Sequence, residues 1–116
     1  MACLLKGEIR WVAIEPASQV VGHEQGNNRP ALILSNNRFN DFTDLVVVAL
    51  ITSTPQVAGN LYSLEIHSVN MPRPSWVLVS QMRTLSARRI GELIGTVDNE
   101  ELNRVHTAIL RLLVVP

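Results

Sequence analysis

The chain is poor in cysteine, in charge, in aromatic rings and in long apolar runs. One cysteine, Cys3, in 116 residues leaves no partner for an intramolecular disulfide and no multi-cysteine metal site. That usage fits a reducing compartment. No stretch nears the ~18 apolar residues of a membrane-spanning helix. The seven-residue run at 45–51 has the length of a core strand. No charged segment followed by a long apolar run marks a secretory signal. A soluble, cytoplasmic protein with no membrane association is expected. Glycine-rich phosphate loops and a Walker lysine are also missing. The three histidines, His23, His67 and His106, are scattered and form no metal-ligand motif. No metal and no cofactor are expected.

What is present is an apolar chain. Hydrophobic residues make up 47% and charged residues 17%, which excludes intrinsic disorder. The length suits a single domain over residues 1–116. Ten basic residues balance ten acidic ones. A diffusely basic nucleic-acid binder is therefore disfavoured. Yet nine of the ten basic residues are Arg. Arg offers a planar fork for phosphate or carboxylate, whereas Lys is mainly a point charge.

Strands are expected at 8–14, 31–35, 45–51, 61–66, 75–79 and 92–97, with 81–85 extending or following 75–79 after a short break. In the first, Ile9, Trp11 and Ala13 alternate with Glu8, Arg10 and Val12. The run at 45–51 is apolar throughout, as in a strand buried on both faces. Residues 16–30 read as a polar loop, and 36–43 as a helical turn capped by Asn36 or Asn37. A helix is expected over 98–113. Asp98 and Glu101 make its capping box, and Leu102, Val105, Ile109 and Leu113 its apolar stripe. The pattern predicts a mainly β, α+β fold: a small curved antiparallel barrel or sandwich with a C-terminal helix.

Three segments carry candidate chemistry. The first, His23-Glu24-Gln25-Gly26-Asn27-Asn28-Arg29-Pro30, ends a polar loop in an Arg at the mouth of an apolar strand. Arg29 is either an anion-binding group or a solvated strand-end charge. The second, Ile51-Thr52-Ser53-Thr54, places three hydroxyls where a buried strand leaves the core; local evidence alone favours simple turn and strand-end chemistry. The third, Gln81-Met82-Arg83-Thr84, puts Gln81 and Arg83 on one strand face, with Arg88 and Arg89 as solvated charges behind it. Trp76 suits base stacking or a core or dimer interface.

In their order and spacing these segments resemble the MazF/PemK family of toxin endoribonucleases. The likeness runs from Gly7-Glu8-Ile9-Arg10-Trp11, through Arg29-Pro30-Ala31-Leu32-Ile33-Leu34-Ser35-Asn36 and Ala49-Leu50-Ile51-Thr52-Ser53, to Gln81-Met82-Arg83-Thr84 and Gly91-Glu92-Leu93-Ile94-Gly95. It implies an SH3-like barrel with a C-terminal helix, a homodimer, and the toxin half of a toxin–antitoxin pair. It also implies metal-free cleavage of single-stranded RNA, chiefly mRNA. Arg29 and Thr52 fall on the family's catalytic positions. Gln25, Asn28, Ser53, Gln81, Arg83 and Thr84 fall beside the RNA groove, which the antitoxin is expected to occupy. CcdB-like toxins of the same fold act on DNA gyrase instead.

Two departures stand out. Ser80 occupies a position that is acidic in many members, leaving Glu24 or His23 as the acid–base or substrate-contact candidates. An Arg-Asp pair common before the fifth strand reads Arg73-Pro74 here, and proline stiffens that loop. The charge balance is also uneven along the chain. Residues 71–89 hold four basic and no acidic residues, and residues 41–70 hold three acidic and no basic ones. The expected RNA contacts are therefore a few placed Arg residues rather than a broad positive field.

Overall fold

A run apolar at every position has no polar face to give to water, so it must sit where both sides are covered. In the computed structural model, which describes residues 3–14 and 28–116, that run is the third strand of a six-stranded antiparallel sheet. The strands are β1 (Glu8–Ala13), β2 (Asn28–Ile33), β3 (Leu45–Thr52), β4 (Ser63–Ile66), β5 (Ser75–Ser86) and β6 (Ile90–Thr96). Helix α1 (Asn37–Thr43) joins β2 to β3, and α2 (Asn99–Leu113) follows β6. His23, Glu24 and Gln25 lie outside the described residues.

The sheet order is β4-β5-β3-β2-β1-β6. Ala49 and Ile51 of β3 join Ile9, Leu32, Val77, Val79, Val105 and Ala108 under α2. Val46, Val48 and Leu50 point the other way, packing with Val12, Ala31, Ile33 and Leu85. Two cores explain why the first strand departs from its expected pattern. Val12 is 1% exposed and Trp11 is 45% exposed. Glu8 is buried as well, its carboxylate paired with Arg10 Nε at 2.8 Å. Arg10 also donates to the Gly91 carbonyl at 3.0 Å, beside the register shifts between β1 and β6.

The fold is mainly β with a C-terminal helix, as expected, but the ladder is not a closed barrel. Among the described residues no pairing joins β4 to β6. Residues 81–85 extend the strand at 75–79, and the two form one strand, β5. Its irregularity is a bulge: Ala49 pairs with Met82 and Ile51 with Val77, so Leu50 faces four residues of β5. A bulge bends a strand without ending it. Asn36 caps α1 by accepting from Phe39 N–H at 2.8 Å.

Side chains span the gap that the ladder leaves. Asp98 caps α2, accepting from Glu101 N–H at 2.8 Å. The other half of the expected capping box is replaced. Asp98 N–H donates to Ser68 Oγ at 3.1 Å. The Glu101 carboxylate, 8% exposed, accepts from His67 N–H at 2.6 Å, Ser68 N–H at 3.2 Å and the Ser68 hydroxyl. The start of α2 thus holds the chain leaving β4. Gly7, at φ 92°, passes the same corner beneath Leu102 and Val97. Of the predicted stripe, Val105 is buried and Leu102 and Ile109 pack on the core. Leu113 does not; it is 66% exposed. Fifteen residues make α2 about 22 Å long, and its last turn runs past the sheet.

His106 lies half-buried on α2, its Nε2 without a hydrogen-bond partner among the described residues. Burial, and secondarily the charge of Lys6, push its pKa below the ordinary 6.5. The unfolded chain therefore takes up this proton first as pH falls. The stability linked to the group is complete above about pH 6.5 and is lost as pH falls through the folded pKa. His106→Asn should flatten the decline of the melting temperature between about pH 7 and 5. Glu101→Ala strands two amides and a hydroxyl, and should lower the unfolding free energy in urea titration by about 2–4 kcal/mol.

Candidate functional site

The pairing of β2 with β3 sets the site. Ala31 lies across from Leu50, and Ile33 from Val48. Carried two residues further, that register puts Arg29, at the start of β2, opposite Thr52, at the end of β3. Pro30 between them fixes its own φ and offers no amide donor. Arg29 is half-buried and donates a long hydrogen bond, 3.5 Å, to the Ile51 carbonyl. Thr52 Oγ1 accepts from Thr54 N–H at 3.1 Å, which fixes the turn after β3. A hydroxyl that accepts in this way still has its own proton to donate.

These groups line one side of a cleft of about 830 Å3, together with Trp11, Ser53 and Thr54. A further stretch of the lining, Asn70, Met71, Pro72, Arg73 and Ser75, comes from the segment that leads into β5. That wall is anchored just ahead of its first residue. Glu101 holds residues 67 and 68, and Val69 is buried against Gly95, where a methyl group would come within 2.5 Å of a Val69 methyl. Ser75 Oγ donates to the Arg73 carbonyl at 2.9 Å. Among the described residues, the lining holds two guanidiniums and no carboxylate or imidazole. Such a surface suits a bound anion and the negative charge that develops on it. No three His, Cys, Asp or Glu side chains converge among the described residues to hold a metal.

Trp11 also lines a second cleft of about 590 Å3, with Asn28, Arg88, Arg89 and Glu92. Strand alternation sends Asn28 there and Arg29 into the first cleft. Arg88 and Arg89 are therefore not charges on an open sheet face. They lie in a 3₁₀ turn, and Arg89 donates to the Ile14 carbonyl at 2.9 Å.

Gln81, Arg83 and Thr84 line neither cleft. All three are exposed on β5, with Gln81 in the bulged segment and Arg83 across from Val48. Val48 and Thr52 lie on one face of β3, so Arg83 stands on the order of 13 Å down the sheet from Thr52. Trp76, half-buried, pairs with Thr52 and Glu65 and belongs to neither core cluster. Arg73 was not among the residues that the sequence singled out for binding. Its signals were an Arg between two prolines and its place at the Arg of the family's Arg-Asp pair.

A family model described as "PemK-like, MazF-like toxin of type II toxin-antitoxin system" matches residues 5–113. The chain is 32% identical over 106 residues to Endoribonuclease EndoA of Bacillus subtilis, covering 90% of this chain and 89% of that one. A solved endoribonuclease from a Mycobacterial species superposes with a TM-score of 0.77 at 23% identity, over 100% of this chain and 96% of that one. Another Mycobacterial endoribonuclease, in complex with its cognate antitoxin, gives a TM-score of 0.76 at 23% identity, over 97% of both chains.

The contact of Val69 with Gly95 makes that wall of the cleft sensitive to one methyl group. Gly95→Ala should cost about 1–3 kcal/mol in denaturant melts, because the buried, β-branched Val69 side chain must shift to admit the new carbon. An unchanged midpoint would mean that Val69 moves freely.

Proposed function

The chain belongs to the PemK-like, MazF-like family of type II toxin–antitoxin toxins, and from that premise we propose that it cleaves single-stranded RNA. The substrate is chiefly mRNA, cut at short sequences without a metal ion. Residues 1–116 act as one toxin domain in the cytoplasm, as a homodimer. The cognate antitoxin silences it by laying an acidic or amphipathic segment in the RNA groove. The observation that carries this reading is the convergence of Arg29 and Thr52 in a cleft whose described lining is cationic.

The reaction is a transesterification. The ribose 2′-OH attacks the adjacent phosphorus while the bond to the 5′-oxygen breaks. The products are a 2′,3′-cyclic phosphate and a 5′-hydroxyl. The guanidinium of Arg29 and the hydroxyl of Thr52 donate to the non-bridging oxygens, where charge grows in the transition state. A base takes the 2′ proton and an acid supplies one to the leaving oxygen. Arg keeps its proton at neutral pH, so its part is charge stabilisation. The proton carriers fall to Glu24 or His23. Ser53 lies beside the scissile phosphate, and Asn28 contacts the RNA from the second cleft, which shares Trp11 with the first. Gln25, Gln81, Arg83 and Thr84 contact the strand further along. DNA binds without reacting, since it lacks the 2′-OH.

Long single-stranded RNA incubated with the purified protein in EDTA should be cut, with ends that map as cyclic phosphate and 5′-hydroxyl. Arg29→Ala should slow cleavage about 10²–10³-fold and Thr52→Ala about 10²-fold. Intact RNA, or cutting that neither substitution slows, rules the reading out.

A further inference from the structure

We propose that Arg73 is a second backbone clamp, binding the RNA phosphate next to the one held at Arg29 and Thr52. The inference rests on the cleft being an RNA site and gives a role there to a residue to which the sequence alone assigned none. Arg73 is exposed, lines the same cleft as Arg29 and Thr52, and forms no ion pair among the described residues. Its backbone is restricted three ways. Pro72 and Pro74 flank it, the Ser75 hydroxyl holds its carbonyl, and Val69 anchors the loop on Gly95. The residue before a proline is confined to extended conformations, so little loop entropy is lost when the guanidinium takes a ligand.

Two guanidiniums share this cleft with no carboxylate in the described lining. A polyanion bound in the cleft relieves their mutual repulsion. A nucleic-acid strand carries a phosphate on every nucleotide, so a strand placing one phosphate at Arg29 offers a neighbour to Arg73. Arg73 does not touch the reacting atoms in this arrangement. It binds ground state and transition state alike, which moves KM and leaves kcat in place.

Binding of a mixed-sequence single-stranded DNA, which cannot react, separates this contact from the chemistry. Fluorescence anisotropy over a salt series should give Arg73→Ala a log–log slope shallower than wild type by about 0.7, the value for one phosphate contact on a single strand. Affinity at low salt should fall about 5- to 20-fold, in line with one lost charge-assisted contact. Arg73→Lys should restore the slope. Arg38→Ala, which removes an exposed charge on α1 away from the cleft, should match wild type. With RNA, Arg73→Ala should raise KM by a similar factor at nearly constant kcat. An unchanged slope and KM, or a loss confined to kcat, overturns the proposal. Arg73-dependent DNA binding by a wild-type protein that cleaves no RNA keeps the contact and removes the cleavage reading instead.

Discussion

The Glu101 carboxylate meets the amides of residues 67 and 68 at the one place where the sheet's hydrogen-bonded ladder stops. A sheet open between β4 and β6 leaves two edges to be managed. Here the first turn of α2 spans them. Its N-terminal dipole favours an acidic residue, and the same acidic residue accepts the strand-end donors that a closed ladder would have paired. Val69 then settles on Gly95, and the loop beyond it becomes one wall of the cleft. The other wall is set separately, by the register of β2 on β3. The cleft is where two independent structural decisions meet, one made by the sheet and one by the helix.

Much of this was legible in the sequence because it depends on local rules. An apolar run at 45–51 has few places to go but the centre of a two-sided core. Asp98 followed by Glu101 marks a helix start whatever surrounds it. Arg29 and Thr52 each stand at the end of a segment that reads as a strand. What could not be read depends on partners far along the chain. The capping box assigns Glu101 to Asp98, but residues 67 and 68 compete for the carboxylate, and their approach is tertiary. Trp11 reads as core by alternation, yet a sheet with cores on both faces buries Val12. Leu113 continues a faultless stripe, but the sheet ends before the helix does. The proton carriers proposed for the reaction, Glu24 and His23, stay a reading of sequence.

A formal charge of zero hid a sorted distribution. The described lining of the cleft is cationic, and acidic residues such as Glu8 and Glu101 are spent on internal bonds. Burying a carboxylate is costly unless donors meet it, and both have them. Those two carboxylates are thereby taken out of a ligand's reach, while Arg29 and Arg73 remain in the cleft. Net charge averages these roles together.

The bridge from Glu101 also sets an order of assembly. Every strand precedes α2 in the chain, and synthesis runs in that direction. The β2–β3 register, and with it the facing of Arg29 and Thr52, is specified before the helix exists. Residues 70–75 exist by then, but the segment leading into them lacks the carboxylate that anchors it. For a ribosome making this protein, the complete cleft is therefore among the last things to appear.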